Sequence, residues 1–137
     1  MKKDEFIKKV MDMLHTDDKK AAERGVQIVF SILSYRLTEN EQKDVAAQLS
    51  GDLKKIWNNR VWVVNFYRIS GERLKYRHRT ELMSLVENEI KRENLDLHAE
   101  SLTKAVFHLL KEAISSGESE DIAQMLPKEL RNFYKAA

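Results

Sequence analysis

The sequence predicts an all-α protein, and three observations carry that prediction. Its 137 residues hold one proline and four glycines, too little punctuation for the short, closely spaced turns of an all-β chain. Apolar residues recur at helical rather than alternating spacing. The pattern also repeats: Asp44-Val45-Ala46-Ala47-Gln48-Leu49 corresponds to Asp121-Ile122-Ala123-Gln124-Met125-Leu126 at an offset of 77, and the same offset carries Phe30 to Phe107, Leu33 to Leu110, Leu53 to Leu130 and Trp57 to Tyr134. A repeat of this length points to a duplicated supersecondary unit. At this length a chain buries roughly two-thirds of its unfolded surface, so a core forms without disulfides or metal.

The elements follow in chain order. Phe6, Ile7, Val10, Met13 and Leu14 oppose Lys2, Lys3, Lys8 and Lys9, a basic amphipathic pattern that membrane-surface helices also use. The matching stretch of the second unit carries Glu87 and Glu89 instead, so the apolar face reads as core. In Ala22–Leu37, Val26, Val29, Phe30, Leu33 and Leu37 form one stripe, with Glu23, Arg24, Gln27, Ser31 and Ser34 on the other side. Its copy sets Leu102, Val106, Leu109, Leu110 and Ile114 against Lys104, His108, Lys111 and Ser115. Thr38-Glu39-Asn40-Glu41 and Ser115-Ser116-Gly117-Glu118 are capping boxes, in which the hydroxyl accepts from the N3 amide and the glutamate reaches back to the N-cap amide. The last helix of each unit opens at Ser50-Gly51-Asp52 or at Pro127, proline being favoured at the first helical position.

Units at about residues 4–57 and 81–135 thus flank a connector, 58–80, within one compact bundle. Val61-Trp62-Val63-Val64-Asn65-Phe66-Tyr67 is β-branched and aromatic and Ile69-Ser70-Gly71-Glu72 resembles a turn, which admits a short strand or hairpin. The connector is expected to fold back and bury its aromatics. It is also the charged part of the chain, with six basic residues against one acidic, whereas 1–57 has 11 against 10 and 81–137 has 7 against 11.

These features together resemble the bacterial domain of unknown function 2267 family. The residues that carry the resemblance are Glu5 to Val10, Asp44 to Leu49, Arg73-Leu74-Lys75-Tyr76-Arg77 ahead of Glu81-Leu82, and Met125 to Leu130. The resemblance covers nearly the whole chain and implies a small, all-helical cytoplasmic protein of two related halves, with no activity and no catalytic residue to carry over. One departure is Leu49-Ser50-Gly51, where the family pattern has proline after Gln-Leu.

Chemistry has little foothold in the residues. The absence of cysteine excludes thiolate nucleophiles, disulfides and thiolate metal sites. His15, His78, His98 and His108 form no metal-ligand pairing. The carboxylates at Asp17-Asp18, Glu39/Glu41/Asp44 and Glu118/Glu120/Asp121 sit at helix N-termini, where capping and the helix dipole account for them. Ser31 and Ser34 lack a glycine-flanked elbow, and there is no phosphate loop. No catalytic residue, cofactor or metal is expected. No stretch approaches the roughly 18 apolar residues of a membrane span or a secretory leader, so a cytoplasmic protein without membrane attachment is expected.

The leading expectation is therefore a non-enzymatic interaction or scaffold domain with a protein partner or self-association. The alternative is a nucleic-acid or other anionic-ligand binder, in which Arg60, Arg68, Arg73, Lys75, Arg77 and Arg79 contact phosphates while the interleaved Trp57, Trp62, Phe66, Tyr67 and Tyr76 stack on bases.

Overall fold

The computed structural model describes residues 1–70 and 76–137, apart from the side chains at 68 and 69. Every regular element among them is a helix: α1 (Lys3–Leu14), α2 (Lys19–Tyr35), α3 (Glu39–Gln48), α4 (Gly51–Asn58), α5 (Trp62–Ser70), α6 (Arg79–Arg92), α7 (Ala99–Ala113), α8 (Ser116–Met125) and α9 (Lys128–Ala136). They close around a single compact core that draws on all nine.

The centre of that core is α2, which packs against α1, α4, α5, α6 and α7. Its expected polar side is therefore not solvated, because helices cover both faces. Gln27, Ser31 and Ser34 are buried, and each has a backbone partner: the Gln27 amide donates to Asn59 O at 3.2 Å, the Ser31 hydroxyl accepts from Val61 N at 3.1 Å, and the Ser34 hydroxyl donates to Ser31 O at 3.0 Å. Buried polar groups are retained where they are satisfied in this way; here two of the three fasten the α4–α5 junction to α2. Gly25 lets α7 approach, since a Cβ there would come within 2.8 Å of Leu97 Cδ1 and 2.9 Å of Leu102 Cδ1.

Two aromatic clusters fill the rest. Phe30 meets Trp57 edge to face with centroids 5.2 Å apart, and Phe6 packs on the other side of Phe30 at 5.6 Å. Phe107 meets Tyr134 in the same manner at 5.2 Å, with Phe133 at 5.8 Å. Both Phe30 and Phe107 are buried as the stripes require.

The connector differs from expectation. No strand or hairpin is present among the described residues; 62–70 is the helix α5, to which Ile69 and Ser70 of the expected turn belong, while Gly71 and Glu72 lie outside the described residues. Val61 and Val64, three apart, are both buried against the core, whereas Trp62, Asn65 and Phe66 are exposed. That is helical spacing, and burial against α2 outweighs the weak strand preference of valine. Nor are all the connector's aromatics buried: Tyr76 is, but Trp62 and Phe66 are not.

The capping boxes form only in part. Thr38 and Ser115 hydroxyls accept from the amides of Glu41 and Glu118, at 3.2 and 3.1 Å. The Ser115 amide donates to Gln48 Oε1 at 2.6 Å rather than to Glu118. The reach-back occurs at α6 instead, where the Glu81 carboxylate accepts from the amides of Arg77 and His78, both at 3.0 Å, and is held below the usual carboxylate range by those bonds. Pro127 is the N-cap of α9, one residue ahead of the expected position.

Candidate functional site

Of the six basic connector residues, the three whose side chains are described, Arg60, Arg77 and Arg79, line three separate cavities. Arg60, half-buried, donates to Trp57 O at 2.9 Å and to Gln42 Oε1 at 2.6 Å; it lines a 370 Å³ cavity with Glu39, Lys54 and Asn58. Arg79 is ion-paired with Glu100, and its guanidinium lies 4.7 Å over the Phe133 ring. Arg77 is exposed and lines a 540 Å³ cavity with His78, Lys128 and Glu129 at the start of α9. Arg73, Lys75 and the side chain of Arg68 lie outside the described residues. The end of the connector is thus laid against acidic groups of α7 and α9, with His78 Nδ1 2.9 Å from Glu129 Oε2 and the Arg79 amide donating to Glu129 Oε1 at 3.1 Å.

What α5 does present is an aromatic ledge. Trp62 is 51% exposed and Phe66 44%; one helical turn apart, their rings stack at 5.2 Å with an interplanar angle of 15°. Arg92 of α6 places its guanidinium 3.8 Å over the Trp62 ring and donates from Nε to Glu89 Oε1 at 3.3 Å. Glu89 is buried, and that burial raises its carboxyl above the ordinary range, with the Arg92 hydrogen bond acting against the rise. The ledge is thus backed by a fixed chain from Phe66 through Trp62 and Arg92 to Glu89. Sequence reasoning named Trp62 and Phe66 but missed Arg92, which lies 30 residues from Trp62 and on another helix.

A second assembly was not foreseen. Glu41 and Glu118, the N3 residues of α3 and α8, turn inward where those helices meet. Each is only 7% exposed, and Asp121 completes a trio in which one carboxylate oxygen from each residue lies within 4.8 Å of the other two. Gln48 Nε2 points at Glu118 Oε2 from 3.5 Å. Burial, then the neighbouring Glu41 carboxylate, then the charges of Asp44 and Asp121, push the Glu118 carboxyl up to about 8. Two carboxylates facing each other out of water cannot both hold full charge cheaply, so the pair demands a proton or a cation. These are the residues of the described chain best placed to hold a metal ion; the sequence assigned them to capping alone. The visible signal was that both capping boxes put a glutamate at the same place, 77 residues apart.

The histidines stay apart: His98 caps α7 and accepts from the Ser101 amide, while His108 is 3.3 Å from Glu112 on the exposed side of the same helix. No helix among the described residues is long and apolar enough to cross a membrane.

Comparison with curated proteins returns no match. A family profile does match, over residues 3–133, and the chain belongs to that family, described as "Uncharacterized conserved protein (DUF2267)".

Proposed function

We propose that this chain is a non-enzymatic interaction domain of a bacterial cytoplasmic protein, and that it docks a partner protein on the Trp62–Phe66 ledge. The observation that carries the reading is the stacked, half-exposed ring pair backed by Arg92 and the buried Glu89. Tryptophan and arginine dominate interface hot spots because they remove large, rigid surface from water at low entropic cost. The occupant is an apolar segment flanked by carboxylates, since the surrounding stretch 58–80 has six basic residues and one acidic. A protein segment is favoured over a single strand of nucleic acid because a face of Trp62 already carries the Arg92 guanidinium and another ring, and because Arg60 and Arg79 are committed to Gln42 and Glu100.

The scaffold beneath the ledge is read as two related units, about 4–57 and 81–135, joined by the connector 58–80. Several features support this. Helices α3 and α8 keep the 77-residue offset at both ends, most helix contacts persist when α1–α4 are exchanged for α6–α9, and Phe30 with Trp57 meets at the same 5.2 Å as Phe107 with Tyr134.

Selection of displayed peptides on the whole chain tests the proposal. The expected winners combine Leu, Phe or Trp with Asp and Glu, and bind at least about tenfold more weakly to Trp62→Ala and Phe66→Ala. Binding indifferent to both substitutions overturns it. So does salt-sensitive, ledge-dependent binding of a mixed single-stranded oligonucleotide, or a dimer that the same substitutions dissociate.

A further inference from the structure

We propose that Glu41, Glu118 and Asp121 bind one hard divalent cation, of the calcium or magnesium class, that ties α3 to α8. Three carboxylate oxygens, one from each residue, within 4.8 Å of one another match an ion with oxygen ligands at about 2.3–2.6 Å, which sets opposing oxygens roughly 5 Å apart. A cluster of acidic groups alone would carry little weight. Here, however, Glu41 Oε1 and Glu118 Oε1 are fully shielded from solvent and have no hydrogen-bond partner, on side chains that are only 7% exposed. Buried polar atoms without partners are rare, and an unseen ion is one of the few reasons for them.

The chemistry of the donor set selects the ion. All donors are carboxylate oxygens, which suits hard cations rather than zinc or copper. Asp121 lies on the exposed side of the trio, giving the ion an entry and leaving water to complete its shell. Gln48 fixes the far side: its Oε1 accepts from the Ser115 amide at 2.6 Å while its Nε2 faces Glu118. Asp44 adds its negative charge nearby. Ligands bind a cation in their deprotonated form, so the raised Glu118 carboxyl has to lose its proton to the ion.

Metal-stripped whole chain is titrated with CaCl2, MgCl2 and MnCl2, at pH values well below and well above 8, with unfolding temperature and the NMR signal of the Gln48 side-chain amide as readouts. Expected is a saturable rise in unfolding temperature with at least one ion, with tighter binding at the higher pH, and selective broadening of the Gln48 amide by Mn2+. Glu118→Gln weakens binding at least about tenfold, as loss of a ligand should, and so does Asp121→Asn, whose exposed site spares the fold. Glu87→Gln, an exposed residue paired with Lys91, changes neither. No saturable effect at millimolar concentration, where even weak calcium sites fill, overturns the proposal and leaves the proton as the sole occupant. An effect that survives both Glu118→Gln and Asp121→Asn overturns it as well.

Discussion

The helices before α5 and those after it solve the same packing problem with different chemistry. On one side Phe30 packs edge to face on Trp57, whose indole N–H donates to Gln42 O at 3.2 Å. On the other, Phe107 packs on Tyr134, whose hydroxyl pairs with Ser119 Oγ at 3.0 Å. Gln42 and Ser119 are 77 residues apart, like the rings they anchor. An indole uses a backbone carbonyl and a phenol uses a side-chain hydroxyl, yet each ring meets its phenylalanine at the same 5.2 Å. Ring position is therefore set by the fit of the surrounding helices, and the polar handle has only to find any partner within reach. Burial raises the Tyr134 hydroxyl to about 12, so it stays protonated throughout the working range.

That equivalence can be broken by experiment. The largest effect belongs to ring removal: Trp57→Ala and Tyr134→Ala each lower stability by about 3–5 kcal/mol in denaturant unfolding, and a marked inequality would show that one cluster bears more of the fold. Next comes the proton on the carboxylate pair. Glu118 is raised from 4.5 to about 8 in the folded chain, so between those values the folded state holds a proton that the unfolded state has released. Stability consequently falls as pH rises through this window. Glu118→Gln therefore flattens the slope; a slope left unchanged by it would place the proton elsewhere.

Smaller effects sharpen the picture. Gly25→Val drives a side chain into Leu97 and Leu102 and costs about 1–3 kcal/mol, read as a lowered unfolding temperature. Tyr134→Phe leaves the ring but strands Ser119, costing about 1 kcal/mol. Smallest is Trp62→Ala, at about 1 kcal/mol or less, since the half-exposed ring loses only its contacts with Arg92 and Phe66. Acrylamide should quench Trp62 emission readily and leave that of Trp57, which is 0% exposed, nearly untouched.

Much of this architecture was legible in the residues. Val26, Val29, Phe30 and Leu33 announced α2, and Thr38 and Ser115 marked the starts of α3 and α8, because helical periodicity and capping are local properties. Gln27, Ser31 and Ser34 misled, since a helix covered on both faces hides polar groups that happen to find partners. Val61, Val63 and Val64 misled for a related reason: strand preference is weak, and docking on α2 decided in favour of a helix. The site was less legible. Arg60 and Arg79 stood out by composition, but their side-chain partners Gln42 and Glu100 come from other helices. Glu41 and Glu118 looked like ordinary caps because nothing local says that two N3 side chains will face each other across α3 and α8.

Gly25 gives the crossing of α2 and α7 a handedness of roles. It occupies the place that corresponds to Leu102 at the 77-residue offset, and Leu102 is the side chain that fills the space it leaves. One helix is a socket and the other a plug. A chain assembled from two copies of the earlier helices would carry two sockets and an empty gap at its centre; two copies of the later ones would jam plug against plug. The two helices are therefore not interchangeable at this crossing: α2 supplies the gap and α7 the side chain that enters it.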